Sequence, residues 1–274
     1  MKNGNGKLFQ KHAGTTDKRE TSVMTLNCLE TLDAIGALAR AYQEREIDTR
    51  MSPTDTMARP PTTPEQYMAS GRSAVDTILQ AMVAANVSHI DSVLDMGSGH
   101  GRVLRHLAAL FPNAELTACD IDVPGIEFCA EAFGAIPVRS RGNLANLKFD
   151  RTYDLIWSGT LFTHLNHQMF MDGLALLAAS LSSRGVAVIS FGGRYNRSVL
   201  SDADSFTNVG RCFDNVGFGC DTNGPVNTLT LAAASYVVKA AENLDVRIVG
   251  LVERGWAGSD DVIVLAKPGP KDWI

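Results

Sequence analysis

Ten residues constrain this chain more than any others: Val93-Leu94-Asp95-Met96-Gly97-Ser98-Gly99-His100-Gly101-Arg102. An apolar run reaches an acid, three glycines follow at alternate positions, and a helix-compatible stretch runs from Arg102 to Phe111. This reads as a buried parallel strand, a tight turn, and a helix whose N-terminus faces whatever lies over the turn. Glycine removes the side chain where backbone must approach a ligand and takes dihedrals other residues avoid. A cofactor-like molecule is therefore expected across residues 97–101.

The rest of the chain has the means to support such a site. Its 274 residues are enough for one full core plus an extension. Hydrophobic residues make up 45% and charged residues 20%, as in an ordinary globular protein. The 25 Lys+Arg against 30 Asp+Glu leave a net charge of −5, which disfavours gripping a phosphate backbone, so no nucleic-acid partner is expected. Five scattered cysteines without a CxxC argue for reduced thiols rather than disulfides or a zinc site. No apolar run has the length of a membrane helix and the polar N-terminus lacks a signal-peptide core, so a cytoplasmic protein is expected.

Residues 1–22 are polar and expected to be flexible. From Thr25 to about Arg45, Leu29, Leu32, Ile35, Leu38 and Tyr42 recur at helical spacing. That amphipathic helix either packs on its own domain or serves as a lid or homodimer arm. Asp48 to Pro64 carries four prolines and reads as a linker or strap, so 23–63 form an extension. Thr63-Pro64-Glu65 has the form of a helix start. From there to residue 274, strand and helix patterns alternate: strands at 92–96, 115–119, 136–140, 153–158 and 185–191, helices at 102–111, 124–133 and 167–181. Such alternation predicts an α/β fold, a Rossmann-like doubly wound parallel sheet. A helix over 229–242 and strands at 246–251 and 262–266 complete the domain. The connection between these last strands is too short for a crossover helix, so they should pair antiparallel.

The glycine spacing is GxGxG with an acid two residues before it, whereas the nicotinamide fingerprint is GxGxxG; the difference favours S-adenosylmethionine. Asp120 ends the second strand, 19 residues past Gly101, where a carboxylate can accept hydrogen bonds from both ribose hydroxyls. After the third strand, Asn143 offers an amide to the adenine amino group and Leu144 a backbone N–H to a ring nitrogen. The fourth strand ends at Ser158-Gly159, followed by Leu161-Phe162-Thr163-His164-Leu165.

These motifs make the chain resemble the class I S-adenosylmethionine-dependent methyltransferases, above all bacterial small-molecule or glycan enzymes. The resembling elements are the LDMGSGHGRVLR first motif, the CDID second strand and the FTHL segment, over roughly residues 64–268. The resemblance implies a seven-stranded sheet, mostly parallel with an antiparallel last strand. It implies that Asp95 orients the cofactor's amino group, and that Tyr67, in a tyrosine-to-SGR element with Arg72, covers the cofactor. Family members usually carry Asp where Asn143 stands. Gly97, Ser98, Gly99 and Gly101 are expected to cradle the methionine portion, with Ile121 and Ser158 completing the cofactor contacts. Asp122 should cap the helix near Pro124. His100 reads as a tolerated side chain beside the cofactor.

Chemistry is carried by fewer residues. If the acceptor is a hydroxyl, a base must take its proton, and His164 is the best placed, either as that base or as pocket lining; His167 is the second choice. A divalent-metal site would need a carboxylate where Ser158 and Gly159 stand, so no metal is expected. Arg194, Tyr195 and Arg197 begin a long polar stretch to Asn227 that either meets an anionic or sugar acceptor or is solvated loop. Trp256 either stacks on an acceptor ring or covers the sheet edge. The expected function is methyl transfer to a small acceptor, a sugar or natural-product hydroxyl. The alternatives are an RNA or protein methyltransferase, an NAD-dependent oxidoreductase, and a non-catalytic S-adenosylmethionine-binding module.

Overall fold

The computed structural model describes residues 18–200, 207–221 and 229–268. Seven strands form one sheet: β1 (Ser92–Met96), β2 (Glu115–Asp120), β3 (Ile136–Arg139), β4 (Tyr153–Ser158), β5 (Leu181–Phe191), β8 (Arg247–Trp256) and β9 (Asp260–Ala266). Their order is β3-β2-β1-β4-β5-β9-β8. The first five run parallel, and β9 is antiparallel to both β5 and β8. This is the expected doubly wound sheet with an antiparallel last strand.

Strand periodicity divides the core between the two faces. Val93, Leu155, Trp157, Val186, Val188, Val262 and Val264 point to one side. There they pack against α1 (Lys18–Glu44), α2 (Pro64–Ala85), α3 (Leu104–Leu110) and α4 (Val123–Phe133). The alternate residues Leu94, Met96, Ile156, Ala187, Ile189, Ile263 and Leu265 meet α5 (His167–Ala179) and α8 (Ala234–Ala241) on the other.

Helix α2 starts as the sequence predicts: Thr63 and Gln66 close a reciprocal capping box, with Pro64 in the first turn. Helix α1 begins earlier than expected, and its second half packs on its own domain through Ile35, Leu38 and Tyr42. The Tyr42 hydroxyl meets His106 Nδ1 of α3 at 2.7 Å. Burial pushes His106 down to about 4, so this tie involves a neutral imidazole at pH 7. Leu29 and Leu32 stay 55% and 43% exposed, so the apolar stripe is covered only from Ile35 onward.

Two regions differ from the sequence expectation. The segment 229–242 is not one helix: Thr230–Ala232 forms β7, antiparallel to β6 (Phe218–Cys220), and α8 starts only at Ala234. Leu and Ala favour helix, yet Leu231 and Ala232 are fully buried and the Ala232 N–H donates to Gly192 O at 2.8 Å, so tertiary pairing overrides propensity. The polar stretch after β5 is also structured where described, as α6 (Arg194–Val199), α7 (Thr207–Val216) and β6. Val209 and Phe213, four apart, are buried and anchor α7. The expected flexible segment 1–22 lies mostly outside the described residues.

Candidate active site

Strand order reverses between β1 and β4, whose carboxyl ends open a crevice where α/β sheets bind ligands. A cleft of about 270 Å³ lies there. Its floor is the turn after β1, with Asp95, Gly97, Ser98, Gly99 and His100 on the wall. It runs into an apolar slot of about 110 Å³ bounded by Met96, Ile121, Leu144, Leu165 and Met169. Gly97, Asp120, Leu161 and His164 line both, so cleft and slot form one groove over the ends of β1 and β2.

The turn is held by its neighbour strand. The N–H groups of Gly97 and Ser98 donate to Cys119 O at 2.8 and 3.3 Å. The Gly99 N–H donates to Asp120 Oδ2 at 2.7 Å, and the Asp122 N–H to Asp120 Oδ1 at 2.9 Å. Asp120 thus ties the glycine turn to the second strand while still lining the groove. Gly99 has φ +50°, and a Cβ there would meet nothing within 4 Å: it would project into open space. The backbone is bare where a ligand must lie against it.

Asp95 is 2% exposed, and its Oδ2 has no hydrogen-bond partner. Burial, with the Asp120 charge adding to it, pushes its carboxyl up to about 8, although Arg102 opposes the shift. A buried carboxyl oxygen without a partner on the wall of a cleft suits a cationic or donor group.

The proline-rich strap closes the outer wall. Asp55, Thr56 and Met57 line the cleft, with Asp55 buried. Tyr67 of α2 donates to Asp55 Oδ2 at 2.6 Å, and the Met57 N–H donates to Asp55 Oδ1 at 2.8 Å. His100 is more than a tolerated side chain. Its Nε2 meets Thr54 Oγ1 at 2.9 Å and its Nδ1 lies 3.5 Å from Asp122 Oδ2, clasping strap to turn. Buried Arg105 of α3 fixes the near end of the strap by donating to Asp48 O and Arg50 O at 2.9 and 2.8 Å. On the far side, Trp157 and Trp256 meet edge to face at 5.3 Å. Trp256 is therefore cleft wall rather than sheet-edge cover, anchored by its Nε1–H to Ser70 O at 2.9 Å.

Several expected site residues lie elsewhere. Gly101 does not face the groove: a Cβ there would sit 2.5 Å from Phe133, so this glycine lets α4 pack against the turn. Ser158 is fully buried and donates to Met96 O at 3.0 Å, joining strands instead of lining the groove. The Asn143 side chain folds back to accept from the Ala145 N–H at 3.0 Å and lines neither cavity. Asp122 occupies the cap position of α4 without a capping hydrogen bond; its carboxylate faces His100. The helix after the turn begins at Leu104 rather than Arg102. His167 lines neither cavity; it is bonded to the Tyr236 hydroxyl at 2.6 Å and edge-on to Phe218. Arg197 pairs with Asp214, and Arg254 lies over the Tyr195 ring, so both loop side chains are engaged in packing.

Sequence reasoning missed Asp55, Met57, Arg102 and Trp157. The alternation of β4 carried a signal for Trp157, since its side chain shares a face with Leu155.

A methyltransferase-domain family matches residues 93–185, the segment from β1 into β5. No curated protein matches the chain. Among solved structures, it is similar to an S-adenosylmethionine-dependent methyltransferase from Clostridium acetobutylicum, at 15% identity and TM-score 0.52, covering 78% of this chain and 96% of that one. It is also similar to DesVI of Streptomyces venezuelae, at 13% identity and TM-score 0.53, covering 74% and 92%. A third likeness is the glycopeptide N-methyltransferase MtfA, at 10% identity and TM-score 0.51, covering 74% and 90%. At such identities the likeness speaks for the fold. The domain match falls on the strands and glycine turn that build the groove, and the residues there fit a cofactor with a cationic amino-acid end and a flat apolar end. No helix among the described residues is long and apolar enough to cross a membrane. A methyltransferase domain thus matches over residues 93–185, and the fold built around it resembles that of S-adenosylmethionine-dependent methyltransferases.

Proposed function

We propose that this chain is an enzyme that moves a methyl group from S-adenosylmethionine, its cofactor, to a hydroxyl of a small acceptor, a sugar or natural product, with no nucleic-acid or membrane partner. The observation that carries the reading is the continuous groove. Its polar end holds the orphaned Asp95 carboxyl, its apolar end the Ile121–Leu144 slot, and His164 lines the junction of the two.

The residue roles follow from that placement. Asp95 receives the cofactor's ammonium group, and Gly97, Ser98 and Gly99 lie along its methionine chain. Asp120 keeps lone pairs beyond those used by Gly99 and Asp122, and these accept from the ribose hydroxyls. Ile121 and Leu144 bracket the adenine ring in the slot. Tyr67 closes the methionine end through its bond to Asp55. The bound cofactor supplies a sulfonium methyl that is already activated for transfer. The protein's task is to hold the acceptor oxygen in line and remove its proton. An imidazole nitrogen of His164, at the groove's junction, takes that proton. The strap and the Trp157–Trp256 pair narrow the opening toward small acceptors and away from a polymer.

Isothermal titration with S-adenosylhomocysteine and with NAD separates this reading from an oxidoreductase: the first should bind and the second should not. In a survey of pure sugars and phenols, His164→Ala should bind S-adenosylhomocysteine within about twofold of wild type yet turn over roughly 100-fold more slowly. Near wild-type turnover would remove the base assignment.

A further inference from the structure

Arg102 is the only Lys or Arg lining the cleft among the described residues. Its guanidinium takes part in no hydrogen bond and no ion pair with a described residue; its close contact is the Trp256 indole face, 5.3 Å from the ring centre. The acids nearby are engaged by other donors. Asp55 accepts from Tyr67 and Met57, and Asp260 accepts from Asn196, Ser190 and Ser259. Arg102 is also the residue common to the cleft and to a second, open groove of about 670 Å³. That groove runs past Thr62, Gln66, Ser70 and Ala257, between the end of the strap, α2 and the β8–β9 hairpin. Its volume suits a sugar- or amino-acid-sized molecule.

A guanidinium presents five donors in a planar fork, matched to a carboxylate or similar oxyanion, and stacking on an indole fixes its plane. The fork has no partner among the described residues and stands half-buried on the cleft wall, open to a ligand that completes it. We propose that Arg102 is the receptor for a carboxylate, or a planar oxyanion of like size, at the junction of the two cavities. The inference rests on the reading that the cleft holds the cofactor. Two sources have the required chemistry: the cofactor's own carboxylate, arriving from the cleft, and an acid group on the acceptor, arriving from the second groove.

Titration calorimetry on the full chain distinguishes them, using wild type, Arg102→Met and Arg102→Lys. The probes are S-adenosylhomocysteine, 5′-methylthioadenosine (which lacks the amino-acid tail), and glucuronate against glucose on protein loaded with S-adenosylhomocysteine. If the anion is the cofactor's, Arg102→Met weakens S-adenosylhomocysteine about tenfold or more and leaves methylthioadenosine within about twofold. If it is the acceptor's, S-adenosylhomocysteine affinity holds while the preference for glucuronate over glucose disappears. Arg102→Lys should keep part of either effect, since it retains the charge without the fork, and it serves as the folded control should Arg102→Met be unstable. Unchanged binding of both S-adenosylhomocysteine and glucuronate in the variants overturns the proposal. Wild-type protein that binds no S-adenosylhomocysteine at all would overturn the functional reading, and this inference with it.

Discussion

Asp95→Asn should stabilise the protein progressively as pH rises while abolishing its grip on the cofactor. Burial lifts the Asp95 carboxyl from an ordinary value of 3.8 to about 8. An acid whose folded pKa is raised binds more protons in the folded state than in the unfolded state throughout that interval. Stability is therefore withdrawn as pH rises from about 4 to about 8, and the loss is complete above it. Each unit is worth about 1.4 kcal/mol, so the wild type loses about 4 kcal/mol between pH 5 and 8 on this account. Asparagine keeps the shape and carries no proton to lose. Urea denaturation of both proteins at pH 5, 6, 7, 8 and 9 should show the variant's advantage widening by about that amount and then levelling off. The same carboxyl should ionise when the cofactor's ammonium arrives. Titration of S-adenosylhomocysteine at pH 7, in buffers of different ionisation heat, should release close to one proton from the wild type and none from the variant. Parallel stability profiles for the two proteins would refute the argument at its root, because they would mean that Asp95 ionises as freely in the fold as outside it.

Gly99→Ala should lose only about 1 kcal/mol of stability, the strain of a side chain at positive φ, since no protein atom meets the added methyl. Its S-adenosylhomocysteine affinity should nevertheless fall by at least about tenfold, because the methyl enters the groove; unaltered affinity would place the ligand elsewhere. Tyr67→Phe leaves buried Asp55 Oδ2 without its donor, costing about 1–3 kcal/mol, and hydrogen exchange should accelerate across the strap, residues 48–58, ahead of the sheet. Equal protection of strap and sheet in that variant would mean the strap is not held through Asp55.

The parts of this protein legible in its sequence are those whose physics is local. The glycine turn shows itself because strand and turn lie within ten consecutive residues and the helix follows at once, at Leu104. Strands β1, β2 and β4 show themselves by short apolar runs at regular intervals, and α2 by a capping box written into four residues. Asp120 could be placed because the length of one βα unit fixes where the next strand ends. Errors gathered where a side chain had two possible employers. Asn143 can meet a ring or cap its own turn, and the turn is nearer; Ser158 can face the crevice or bond across to Met96, and the neighbouring strand decides. Neither choice is encoded by spacing.

The strap is the sharper case, because nothing periodic marks it and yet it forms one wall of the active site. Its contacts span long intervals: Thr54 reaches His100, Asp48 and Arg50 offer carbonyls to Arg105, and Asp55 takes the hydroxyl of Tyr67. Three of these four contacts reach the turn after β1 or the helix that follows it, and the fourth reaches Tyr67, which faces the cleft from α2. The motif that cradles the cofactor therefore also supplies the anchors that hold the lid over it. Arg105 follows the bare Gly99 backbone in sequence and does not line the cleft, so a substitution there should loosen the strap without touching the cradle. Selectivity for the acceptor can in this way vary through the proline-rich segment, while the cofactor geometry stays fixed by the sheet.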